Sequence, residues 1–143
     1  MLRRGDGKPL SADGSLRLSA SHAGDVRITV TSPFDIAVDL QQITAGPWDS
    51  LLDPSANAVA RTIAAERAEP FATAATRIWG TRECGKKLGA RADAPIILRD
   101  RGDAVVRLQS GDREVLSTIL QTPDGTTIAV TLAGPRLEMR STA

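Results

Sequence analysis

The sequence predicts an α+β fold, a mainly antiparallel sheet of six to seven strands with two central helices packed on one face. Three observations carry this. Strict period-two alternation marks both ends of the chain, as a strand with one buried face requires. The middle carries apolar residues at helical spacing behind an Asp-Pro start. Gly- and Asp-rich turns recur at short intervals through the last third.

Residues 1–14 are rich in Gly, Pro and charge and read as a mobile arm ahead of a single domain over 15–134. From residue 16, Leu16, Leu18 and Ala20 alternate with Arg17 and Ser19. His22-Ala23-Gly24-Asp25 is a turn, and Val26, Ile28 and Val30 alternate with Arg27, Thr29 and Thr31. The pattern predicts an N-terminal hairpin with one buried face. After Ser32-Pro33 the segment 34–44 fits either element. Phe34, Ile36, Val38 and Leu40 alternate as in a strand, whereas Ser32, Pro33 and Asp35 fit an N-cap, N1 and N3. Strand is preferred, because a helix would split the apolar residues onto two faces.

Asp53-Pro54 is a clearer helix start, a capping carboxylate with proline at N1. Ala56, Val59, Ala60, Ile63 and Ala64 follow on one stripe, and Pro70 ends or kinks the helix. A second helix then carries Phe71, Ala74, Ala75, Ile78 and Trp79. Its stripe is lost at Gly80, and Gly89 has the place of a C′ glycine after Leu88. The rest predicts a four-strand meander. Ile96-Ile97-Leu98, Val105-Val106-Arg107-Leu108, residues 115–120 and the run holding Ile128, Val130 and Leu132 are its strands. Thr122-Pro123-Asp124-Gly125 is the clearest turn. Residues 135–143 read as a polar tail.

Composition bounds the function. The chain has 143 residues, 41% hydrophobic and 24% charged, with net charge +1. That length supports a sizeable core, and the near-zero charge supplies no overall field for nucleic acid or membrane. Only Phe34, Phe71, Trp48 and Trp79 are aromatic, too few for base-stacking platforms. No apolar run suits a membrane span and no secretory h-region follows the charged N-terminus. The one cysteine, Cys84, fits a reducing compartment, so a cytoplasmic location is expected. One histidine and one cysteine do not make a zinc site unless carboxylates or a second chain complete it, and no metal or other cofactor is expected. Charge is uneven along the chain. Residues 32–69 carry Asp35, Asp39, Asp49, Asp53, Glu66 and Glu69 against Arg61 and Arg67, a net of −4. Residues 77–91 carry Arg77, Arg82, Lys86, Lys87 and Arg91 against Glu83, a net of +4.

The most specific chemical pattern is Gly80-Thr81-Arg82-Glu83-Cys84-Gly85-Lys86-Lys87, a match to G-x-x-x-x-G-K. In a phosphate loop the backbone N–H groups wrap the anion and the lysine neutralises it. Here Lys87 replaces the hydroxyl that would hold Mg²⁺, and the context reads as helix followed by hairpins. Gly80, Arg82, Gly85, Lys86 and Lys87 remain a candidate phosphate patch, with a cationic helix terminus as the plainer explanation. Cys84 stands among these cations, which favour a thiolate, and is a candidate reactive thiol. His22, its only available base, lies in a distant turn. The pairs Asp35/Asp39 and Asp49/Asp53 could share a proton if helical. On a strand, Asp35 and Asp39 would line the solvent side. Arg-Gly-Asp at Arg4-Gly5-Asp6 and Arg101-Gly102-Asp103 is explained by turn chemistry. Trp48 lies in a predicted loop, either anchoring it or serving as an exposed interface residue.

No catalytic set emerges. The leading expectation is a non-catalytic interaction, adaptor or assembly domain whose partner is a protein or a second copy of the chain. A small-molecule-binding domain and an enzyme or binder of a phosphorylated ligand through 80–87 are the alternatives.

Overall fold

The computed structural model describes residues 10, 11, 13–100 and 104–135. Most of the expected arm, nearly all of the expected tail and both Arg-Gly-Asp tripeptides lie outside the described residues. In chain order the elements are β1 (Arg17–Ala23), β2 (Val26–Ser32), β3 (Ala37–Gln42), α1 (Trp48–Leu51), α2 (Pro54–Arg67), α3 (Phe71–Lys87), β4 (Ile96–Asp100), β5 (Val105–Ser110), β6 (Arg113–Gln121) and β7 (Thr127–Pro135). Strands β1 and β2 form a two-stranded sheet, and the other five form an antiparallel sheet in the order β3-β7-β6-β5-β4. The α+β class, the hairpin, the meander and the helices on one face are as the pattern predicts. Segment 34–44 resolves to strand β3.

The two long helices start and stop for local reasons. Asp53 Oδ1 accepts from the Ala56 N–H at 2.8 Å, a cap that contributes about 1 kcal/mol. Helix α2 ends at Ala68, whose φ of 52° is the one left-handed non-glycine angle among the described residues. Pro70 therefore begins α3 rather than kinking α2. Helix α3 does not break at Gly80. It runs to Lys87 and closes with Ala90 N–H on Gly85 O and Gly89 N–H on Lys86 O. Those two bonds, with Gly89 at φ +81°, are the Schellman motif. The apolar stripe gives out because the buried face of this half is made of small residues: Gly80, Thr81, Cys84 and Gly85.

Strand register decides which side chains meet the helices. Ala37, Ala133, Val115, Val106, Leu108 and Ile96 join Ile63, Ala74, Ala75 and Ile78 in one core. Helix α3 packs tightly on β7 at Gly80. A methyl group there would overlap Thr131 Oγ1 and stand 3.1 Å from Thr131 Cβ.

The hairpin corrects one expectation. Register places Ser19 opposite Val30 and Ser21 opposite Ile28, and paired residues share a face. The serines therefore lie with the apolar residues of β2, while Leu18 and Ala20 take the other face. Ser19 is buried and Ala20 exposed. The reason is polar. Ser19 Oγ accepts from the Val38 N–H and Ser21 Oγ from the Leu40 N–H, each at 3.0 Å. The edge of β3 is thus satisfied by hydroxyls spaced two residues apart, with no backbone ladder to the hairpin.

Candidate functional site

Segment 80–87 lies wholly inside α3. Its backbone N–H groups are spent in the helix, so Gly80 and Gly85 form no loop around an anion. They serve close packing instead: a methyl group at Gly85 would meet Ala90 Cβ at 3.4 Å. The cations are engaged as well. Arg82 reaches Asp53 at 2.7 Å and bonds the Ala94 carbonyl. Lys86 pairs with Glu83 at 3.0 Å and sits over the Trp79 ring. Lys87 donates to Val38 O at 2.6 Å and lies 3.7 Å from Asp39 Oδ1. Arg77, counted from sequence in the same basic region, is 1% exposed. Its guanidinium clamps both oxygens of Glu69, at 2.9 and 3.1 Å, and donates to Ser117 O.

This explains the charge asymmetry. Glu69–Arg77, Asp53–Arg82 and Asp39–Lys87 each join the acidic region to the basic one within the chain. The two regions complement each other across the α3 interfaces.

Cys84 is fully buried beneath this surface. Its thiol lies 3.5 Å from Thr131 O and 3.7 Å from Ala37 O. Burial first, and then the Asp39 charge, push its pKa up to about 12. The neighbouring cations are outweighed, and the group is a protonated thiol at neutral pH. His22 is exposed on β1 opposite Arg27, and the structure does not bring it to Cys84.

Asp39 departs from the expectation that it lines the solvent side of its strand. It is 5% exposed and faces α3. Desolvation raises its pKa, against Gln41 and Lys87, which favour the charged form. Its Oδ2 and the neighbouring Thr131 Oγ1 are buried without a hydrogen-bond partner among the described residues. Asp35 instead pairs with Arg17 at 2.9 Å, and Asp49 with Arg61 at 2.8 Å. Asp53, the cap of α2, is held below the usual carboxylate range, by the Ala56 N–H above all and by Arg82.

Trp48 is not in a loop but opens the short helix α1, 8% exposed. Its indole N–H donates to Thr44 O at 2.9 Å, and its ring centroid lies 6.1 Å from that of Trp79. It is an anchor beside α3.

The open surface lies elsewhere, on the sheet face opposite the helices. Register places Val38, Leu132, Leu116 and Arg107 in one row across it, and Leu40, Val130, Thr118 and Val105 in the next. Val38 and Leu40 are buried where the hairpin packs on β3. Val26 of the hairpin and Ile128 of this face line one cleft of about 370 Å³, with Gln42 and Pro123. Away from the hairpin the face opens. Leu132, Val130, Leu116 and Val105 are half-buried, Leu120 is 38% exposed and Ile97 on β4 is 44% exposed. Sequence reasoning missed this surface, although a signal was there: residues 115–120 and 128–133 are apolar at both parities, the mark of a strand with two covered faces.

A larger cleft of about 660 Å³ lies between residues 88–95 and the β5–β6 turn. Its arginines are paired, Arg91 with Asp93 and Arg113 with Asp112. Among the described residues no group of histidine, cysteine and carboxylate side chains could hold a metal ion, and no helix is long and apolar enough to cross a membrane.

No protein-family model, curated protein or solved structure matches this chain.

Proposed function

We propose that this chain is a non-catalytic interaction domain, an adaptor or assembly subunit, that docks a protein partner on the outer face of its five-stranded sheet. The observation that carries the reading is the gradient of exposure across that face. It begins under the hairpin, with Val38 at 1%, and ends at Leu120 and Ile97, both more than a third exposed. The apolar strip runs from the hairpin across Val130, Leu132 and Leu116 to Leu120, with Arg107, Gln109 and Glu114 between it and Ile97, and an apolar surface bordered by polar groups is what a partner-binding face looks like. Arg99 and Arg107 border it on β4 and β5, held by Gln109 and Glu114. Charge attraction between the 32–69 and 77–91 regions is not part of the proposal, because those charges answer each other within one chain.

The test is a comparison of retained polypeptides. Tagged wild type, Leu120→Arg, Ile97→Arg and a control, Thr62→Arg on the exposed side of α2, are used as baits. Both sheet side chains are exposed, so unfolding is not expected. A specific partner is held by wild type and the control and lost by the two sheet-face variants. A partner held equally by all four, or none that distinguishes them, would defeat the proposal.

A further inference from the structure

Each of the two sheets leaves an edge strand, and the two edges are built differently. Strand β4 is short, its register slips between Leu98 and Asp100, and it carries Arg99 and Asp100. A bulge and charges are the usual protection of an edge against pairing with another chain. Strand β2 has no bulge, and Arg27 is its one charged residue. It is seven residues of unbroken ladder, Val-Arg-Ile-Thr-Val-Thr-Ser, rich in β-branched side chains. Among the described residues it pairs with β1 alone.

The turn fixes which backbone groups point outward. Gly24 and Asp25 form a two-residue turn closed by the pair Ala23–Val26, with Gly24 at φ +56° as a type II′ turn needs. In such a hairpin the closing pair exchanges both of its hydrogen bonds, and bonded and non-bonded pairs then alternate. Ile28 and Val30 therefore spend their N–H and C=O groups on β1. Arg27, Thr29 and Thr31 turn theirs to the open edge, and all three are exposed.

We propose that the open edge of β2 pairs antiparallel with β2 of a second copy, about a twofold axis at Thr29. The sequence of the strand is complementary to itself in that register. Thr29 faces Thr29 of the other copy, and Arg27 faces Thr31, so the outward groups of all three residues are used in about six hydrogen bonds. Ile28 faces Val30 on the apolar side, and Val26 faces Ser32. The pairs are β-branched or hydroxyl-bearing, which cross-strand packing favours, and no like charges stand opposite each other. The apolar sides of both hairpins then run together as one four-stranded sheet. This specifies a second copy as one partner and uses a surface separate from the outer sheet face, so the two proposals fail independently.

Sedimentation velocity of the whole chain, from about 1 μM to about 1 mM, where weak contacts populate their complexes, tests the pairing. Wild type forms a dimer whose fraction rises with concentration. Thr29→Lys places like charges opposite each other at the axis, and so does Thr29→Glu, so each weakens dimerisation by up to about fivefold alone. An equimolar mixture of the two restores it as a heterodimer. Circular dichroism and Tm verify that the variants keep the hairpin, since the Thr29 side chain is exposed. Leu120→Arg leaves the dimer intact. A wild type monomeric throughout, a Thr29→Lys chain that dimerises as wild type does, a mixture that stays monomeric, or a dimer abolished by Leu120→Arg would overturn the proposal.

Discussion

Replacing Gly80 by Ala tests the tight approach of α3 to β7. The position is interior to α3, so alanine alone should stabilise the helix by about 1 kcal/mol. Tertiary contact opposes this. The new methyl would overlap Thr131 Oγ1 and stand 3.1 Å from Thr131 Cβ, while Asp39 Oδ2 lies 3.6 Å away. Thr131 is fully buried in the middle of β7 and cannot swing aside. Overpacking of this kind costs about 1–3 kcal/mol. The Cβ of Thr131 is fixed to the strand and leaves little room to relax, so the upper part of that range applies. The net expectation is a loss of about 1–2 kcal/mol, a Tm lower by roughly 3–7 °C. Urea unfolding followed by fluorescence of Trp48 and Trp79 gives the free energies. Thr131→Ala supplies the second arm of a double-mutant cycle. It removes the overlapping oxygen, so Gly80→Ala should cost at least about 1 kcal/mol less in that background. A Gly80→Ala chain more stable than wild type, or the same cost in both backgrounds, would refute the packing argument.

Two further substitutions probe the charges. Asp39 has a raised folded pKa, so its contribution to stability is complete below the unfolded value of 3.8 and is lost as pH rises through the folded value. Asp39→Asn keeps the shape of the neutral acid, so it should be more stable than wild type at neutral pH and lose that pH dependence; thermal melts at several pH values will show it, and a neutral-pH loss of stability would mean the Lys87 contact dominates. Arg77→Ala leaves Glu69 without its buried clamp and should cost about 3–5 kcal/mol, whereas Arg61→Ala breaks the exposed pair with Asp49, about 0–1 kcal/mol, and a cation–π contact with Phe71, about 0.5–1 kcal/mol. Equal effects of the two in urea titrations would contradict the burial assigned to Arg77.

Much of the architecture was legible because it is local. The Asp53 cap, the turns at Gly24 and Gly125 and the alternation of β2 depend on residues within a few positions of one another. Their energies act before the chain collapses. The errors fall where a distant element supplied the deciding contact. Alternation in β1 identifies two faces without saying which is buried, and the N–H groups of Val38 and Leu40 drew the serine side inward. Helix α3 lost its stripe at Gly80 because small residues, not large ones, make its approach to β7.

The candidate sites separate along the same line. Sequence placed Arg82, Cys84, Lys86 and Lys87 together, and they are together, but as one turn and a half of helix whose charges are paired. What each does depends on Asp53, Glu83, Val38 and Asp39, three of which come from other elements. Charge counts along a chain carry no information about pairing, because an ion pair is set by distance in space. By itself the sequence determined the α+β class, the order of the strands and the two long helices, the capped start of α2 and the turns. Each follows from short-range sterics, hydrogen bonding and apolar periodicity. Tertiary structure alone decided that the acidic and basic stretches neutralise each other, that Asp39 and Cys84 lie in the interior, and which sheet face and which strand edge stay open. Those depend on which surfaces of one chain exclude water from one another, and no local pattern encodes that.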